Sequence, residues 1–233
     1  MNMLSRPLTD VPRWIILGLL IALLLQMTWR WHQGRDQASI TPLQPPPPQG
    51  VLRVLSFGDP VAAAKGLTLW LQTQEVQQGQ FLSYRQLDYM ALTQWLGAIL
   101  DLDPKAEYPL FAASYLYSSV RDDERLRQLL NFIVNQSVVD IATRWRWLAH
   151  AAILAKHRLH DLPRALRYAQ IVANHATADM PHWVQQMHVF ILEDMGELER
   201  MRLEIGGLLA SGRLTDPNEI RFFEERLRQL SLN

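Results

Sequence analysis

Apolar residues fall along this chain in two distinct patterns. Over positions 14–29 they form one run, WIILGLLIALLLQMTW, and nothing later resembles it. From Asp59 onward they recur at helical spacing instead: Leu126, Leu129, Leu130 and Ile133; Trp145, Leu148, Ala149 and Ala152; Leu162, Ala165, Leu166 and Ala169; Ile220, Phe223, Leu227 and Leu230. The second pattern predicts helices that each bury one stripe. The first predicts a helix that is apolar all round, and crossing about 30 Å of hydrocarbon takes about 20 helical residues. The expectation is therefore a transmembrane helix over residues 14–31, with Trp14, Trp29 and Trp31 at the two interfaces.

A cleavable signal is the competing use of such a run, but Thr28, Trp29, Arg30, Trp31, His32 and Gln33 follow it where a signal peptidase needs small side chains. An uncleaved anchor is expected, in a bacterial inner membrane. Arg6 and Arg13 on one flank are matched by Arg30 and Arg35 on the other, so charge says little about orientation. A short cytoplasmic tail and an exported, periplasmic or extracytoplasmic, C-terminal domain are the expected arrangement. Pro42 and the four prolines 45–48 then suggest a stiff polyproline II spacer. The resulting division is a tail over 1–13, a membrane helix over 14–31, a Pro-rich linker over 32–58 and a helical domain over 59–233.

Helix starts in that domain share one chemistry. Asp59 before Pro60, Asp103 before Pro104 and Asp216 before Pro217 each place a capping carboxylate ahead of a proline at the first helical position. Asp161 with Pro163 and Asp179 with Pro181 are looser versions. About nine helices are expected, starting near Pro60, Arg85, Pro104, Asp123, Ala142, Leu162, Met180, Glu197 and Pro217. No alternating strand pattern is longer than residues 51–55. Short connections make successive helices antiparallel neighbours, in a bundle or a solenoid. Gly196 and Gly212 fit helix C-terminal caps, and Gly206 with Gly207 would permit close backbone approach.

Net charge is +0, from 23 basic and 23 acidic residues, which gives no electrostatic case for nucleic acid. Cysteine count is 0, so disulfides, thiolate metal sites and a cysteine nucleophile are excluded. No P-loop, dinucleotide fingerprint or G-x-S-x-G is present, and no small-molecule substrate or cofactor is suggested.

The segment RWLAHAAILAKHRLHDLPRALRYAQIVANHATADMP, residues 146–181, resembles a tetratricopeptide (TPR) unit, with Ala149, Ala152, Ala165 and Ala169 at the helix crossings. The segments 102–133 and 57–104 are similar in pattern. The resemblance implies an all-α fold of antiparallel helix hairpins stacked as a TPR-like α-solenoid. It also implies scaffolding, assembly or chaperone-like work, in which first helices of the units line a concave groove.

Candidate chemistry gathers in one third of the chain, which holds His150, His157, His160, His175, His182 and His188. His150 and His157 lie two turns apart on one helix side, with Arg146 a turn earlier. A metal or acid–base cluster is one use of them. No H-E-x-x-H or comparable close pair occurs, so no metal site and no catalytic residue is assigned, and the chain is not expected to be an enzyme. Arg144, Trp145, Arg146 and Trp147 interleave guanidiniums with indoles, either to stack on bases or grip an anionic peptide, or as a core indole beside a solvated arginine edge. Glu193, Asp194, Glu197 and Glu199 read as a solvated face. The functional expectation is a membrane-anchored scaffold that binds a partner protein through Arg146, His150 and His157; an enzyme or metal protein using the histidines, and a structural subunit of a membrane complex, are the alternatives.

Overall fold

The computed structural model describes residues 12–32, 42–77, 80–81, 84–177, 180–212 and 214–231. Most of the expected tail (1–11), part of the expected linker (33–41) and the capping residue Asp179 lie outside the described residues. The chain divides into two compact units, 1–41 and 42–233.

The first unit holds helix α1, Arg13–His32. Apart from half-buried Ile15, its described side chains from Trp14 to Trp29 are exposed. Among the described residues no helix is long and apolar enough to cross a membrane. The expectation of a transmembrane helix over 14–31 therefore does not hold, nor does the single-pass membrane localisation with an exported C-terminal domain inferred from it. The reason lies in the length of the unbroken apolar stretch. It runs only over positions 14–25 before Gln26 and Thr28 interrupt it, and those positions rise about 18 Å at about 1.5 Å per residue, well short of about 30 Å.

The second unit is all-α apart from a minimal antiparallel hairpin. Its elements are α2 (Gln49–Leu55), α3 (Pro60–Thr73), β1 (Val76–Gln77), β2 (Gln80–Phe81), α4 (Tyr89–Leu102), α5 (Tyr108–Phe111), α6 (Asp123–Val139), α7 (Ile141–His157), α8 (Leu162–Asn174), α9 (Trp183–Asp194), α10 (Leu198–Ala210) and α11 (Pro217–Ser231). Strands β1 and β2 pair Val76 with Phe81 and Gln77 with Gln80. Helices pack chiefly on their neighbours in sequence, α3 on α4, α6 on α7, α7 on α8, α8 on α9 and so on to α11, as stacked hairpins must.

Aspartate caps set most of the helix starts. Carboxylates accept backbone N–H bonds at Asp59 (from Ala62, 2.9 Å), Asp88 (from Met90, 2.9 Å), Asp122 (from Arg125, 3.1 Å), Asp140 (from Thr143, 3.4 Å), Asp161 (from Arg164, 2.9 Å) and Asp216 (from Asn218, 2.8 Å). Each such cap stabilises its helix by about 1 kcal/mol. Asp140 ends α6 and starts α7, so that corner turns on a single residue. Asp103 behaves differently from the expectation: it closes α4, and its carboxylate accepts from the Lys105 N–H at 3.1 Å to make a turn. The helix after it waits until Tyr108.

The chain turns through left-handed residues at the corners, His160 (φ 52) between α7 and α8 and Gly196 (φ 72) between α9 and α10. At the latter the Glu197 N–H reaches the Leu192 carbonyl at 3.0 Å, the bond that closes a helix C-terminus in a Schellman motif. Gly206 and Gly207 have no atom within 4 Å of where a Cβ would stand, so they do not serve a close approach.

The core runs through the stack as one cluster, from Leu92, Leu96 and Ile99 on α4, through Leu129, Leu130 and Ile133 on α6, to Val189 and Leu192 on α9 and Ile205 on α10. Ala149 and Ala152 of α7 and Ala165 and Ala169 of α8 are all buried. The proline run lies on this unit: the Trp95 indole N–H donates to the Gln44 carbonyl at 2.7 Å, and Leu43 packs on the core. Residues 51–55, the longest strand-like alternation, are the helix α2, which buries Leu52.

Two substitutions test this packing. Ala165→Leu places three extra carbons in a filled crossing and should cost about 1–3 kcal/mol in chemical denaturation. Gly207→Ala, in open space within α10, should instead stabilise by up to about 1 kcal/mol. Equal shifts of one sign would contradict the assigned faces.

Candidate functional site

Arg144 fixes how α7 is turned. Its guanidinium is buried, and it donates to the Gln136 carbonyl at 2.7 Å and the Pro104 carbonyl at 2.6 Å, in the last turn of α6 and in the α4–α5 turn. Carbonyls near a helix C-terminus are good partners for a cation. With Leu148, Ala151 and Ala155 also buried, the opposite side of α7 faces outward. That side carries Arg146, His150, Ile153 and His157, spaced four, three and four residues apart.

The three expected residues share this side without forming one cluster. Arg146 is exposed, its guanidinium 5.9 Å above the Trp145 ring, and Trp145 meets Trp183 of α9 edge-on at 5.9 Å. His150 is half-buried and stacks on Tyr115 with centroids 4.2 Å apart and planes 16° from parallel. Burial lowers its pKa from the ordinary 6.5, partly offset by a hydrogen bond to the Ser114 backbone. His157 is exposed at the other end and borders a cleft.

That cleft, of about 210 Å³, lies between α7 and α9 and is lined by Ile153, Lys156, His157, Trp183, Met187 and Phe190, with Ala152 and Ile191 at its floor. Lys156 forms an ion pair with Asp194 across it, and Glu193 pairs with Arg226 of α11. Glu193 and Asp194 therefore tie helices together, while Glu197 and Glu199 are exposed as expected of a solvated face. His182 and Gln186 meet the Glu219 carboxylate at 3.0 and 3.2 Å and fasten α11 to α9 in the same way.

Aromatic rings continue the surface on both sides. On one, Phe111 and Tyr115 stack at 5.5 Å and both meet Trp147 edge-on. These rings sit on α5 and the π-helical turn Ala112–Leu116 that follows it. The turn is pinned just beyond its end, where the Tyr117 hydroxyl donates to Glu75 at 2.6 Å and the Tyr117 carbonyl accepts from the Tyr89 hydroxyl at 3.0 Å. Burial and the Glu75 carboxylate push the Tyr117 phenol far above its ordinary pKa, so it stays a donor. On the other side, Phe190 meets Phe222 and Phe223 of α11, each at 6.3 Å.

Ile153, Trp183, Met187, Phe190, Phe111 and Tyr115 were not singled out from sequence. Trp183, Met187 and Phe190 fall at i, i+4 and i+7 and so share a face, but that spacing is also the signature of a core stripe. Only the packing separates the two: Trp183 is 47% exposed, Ile153 42% and Phe190 38%. Among the described residues no group of three or more His, Cys, Asp or Glu side chains is placed to hold a metal ion. No protein-family model, no curated protein and no solved structure matches the chain.

The pH dependence of stability reports on His150. Its folded pKa is held below 6.5, so the unfolded chain takes up the proton first as pH falls. This contribution is whole above pH 6.5 and is lost progressively below it, until the folded ring is protonated too. Denaturation midpoints at about pH 7.5 and about pH 5.5 should differ less for His150→Phe than for the unsubstituted chain. An equal difference in both would show that His150 is not buried against Tyr115.

Proposed function

We propose that the helical unit is a TPR-like scaffold that binds a segment of a partner protein on the outward face of α7 and along the cleft between α7 and α9. Its work is recognition of that segment, in assembly or chaperone-like service, and not turnover. The observation that carries this reading is the run of part-exposed rings and aliphatic groups on successive elements, Phe111 and Tyr115, then Ile153, then Trp183 and Phe190, then Phe222. Scattered exposed apolar residues are ordinary on a protein surface, whereas a contiguous set beside a cleft with a polar rim is the usual form of a binding surface. The rings are held by one another and by buried helices, so a partner would meet a surface already in shape and lose little entropy in ordering it.

Photocrosslinking in cells tests the proposal. With p-benzoylphenylalanine at Ile153, irradiation should give a discrete protein adduct that weakens several-fold when Trp183→Ala is added. The same probe at Arg167, exposed on α8 away from the cleft, should give none. Indistinguishable adducts from the two positions, or none from Ile153, would overturn it.

A further inference from the structure

We infer that the segment received by this face is acidic, with a bulky apolar side chain seated in the α7–α9 cleft and carboxylates on its flanks; this rests on the proposed protein-binding role and adds the partner's chemistry. The cleft of about 210 Å³ is lined by Ile153, Trp183, Met187 and Phe190, with Lys156 and His157 as its polar members and Lys156 already paired with Asp194, so its interior suits an apolar group. Large apolar side chains in such desolvated pockets are where binding energy concentrates.

The charge of the flanks follows from what is already paired. No carboxylate lines the cleft, and the two at the C-terminal end of α9 are taken up within the chain, Asp194 by Lys156 and Glu193 by Arg226. Glu204 and Glu219 on the following helices meet His188 and His182. Arg146 and His157 have no carboxylate at ion-pair distance among the described residues. The outward face of α7 therefore offers a guanidinium at one end and an imidazole N–H at the other, with His150 stacked on Tyr115 and Ile153 between them. An acceptor at each end satisfies both; a lysine or arginine on the partner would meet Arg146 as a like charge. Eleven residues of helix separate the two donors by about 16 Å, which an extended segment covers in about five residues. The fit is thus an apolar anchor beside one carboxylate, with a second carboxylate about five residues along.

Selection of short random peptides displayed on phage, against the immobilised full-length chain, tests this without knowledge of the natural partner. Enrichment of Asp or Glu around an aromatic or large aliphatic residue is expected, with affinity falling about tenfold or more on Ile153→Asp and on the pair Arg146→Glu, His157→Glu. Selection repeated on the charge-reversed pair should shift enrichment toward Lys and Arg. Circular dichroism and denaturation of each variant establish that it is folded. Peptides that depend on Ile153 but are neutral or basic, or that ignore the charge reversal, overturn the acidic partner and leave the groove itself intact. Peptides that bind Ile153→Asp unchanged, or no enrichment at all, overturn the groove as well.

Discussion

Helices α7 and α8 form the most extensive helix–helix contact of the fold, and the small side chains Ala149, Ala152, Ala165 and Ala169 that they carry are all buried. Small residues let two helices approach at the short end of the usual interaxial range of about 8–10 Å. Helix α7 is thereby backed by α8 along its length, braced by α6 on one side, and left with one side uncovered. Everything assigned to function sits on that side or on elements set against it. Bulkier residues at the crossing would push α7 away from α8 and shift Ile153 and His157 relative to Trp183 and Phe190, so packing behind the helix governs geometry in front of it.

Polar interactions refine this arrangement more than they drive it. Arg144 contributes because it is buried and satisfied by two carbonyls, and removing it would leave both without their donor. Ion pairs between helices, Lys156 with Asp194 and Arg226 with Glu193, are part-exposed and worth at most about 1 kcal/mol each. Their greater effect is on charge: they neutralise the two acids that end α9, while Arg146 on the outward face of α7 has no carboxylate at ion-pair distance among the described residues.

Helices were legible in the sequence wherever a capping aspartate preceded a run with one apolar stripe. Asp59, Asp161 and Asp216 start helices as their spacing to proline suggests, and the four alanines assigned to helix crossings are buried. Asp103 misled because an Asp-Pro step also makes a turn, and nothing local distinguishes the two. The π-helical turn after Phe111 and the minimal hairpin before α4 follow from tertiary packing and leave no period to read. The run at 14–25 carried a strong apolar signal, but length decides membrane crossing, and Gln26 and Thr28 cut it short. Arg146, His150 and His157 do share one side of α7, as helical spacing dictates. Their division into an exposed arginine, a ring stacked on Tyr115 and a cleft-edge histidine depends on neighbours far away in sequence. So does the exposure of Trp183 and Phe190, since an aromatic at helical spacing looks the same whether it enters a core or leaves it.

Native-state hydrogen exchange on the full-length chain tests most directly whether α7 is the rigid platform on which this surface stands. Amides of residues 148–155 in α7 and 165–172 in α8 should exchange last, only through global unfolding, with α10 and α11 opening earlier because they have a neighbour on fewer sides. Exchange in α7 through openings of lower free energy than those of α11 would contradict a preformed face, and with it the dependence of the candidate site on the α7–α8 crossing.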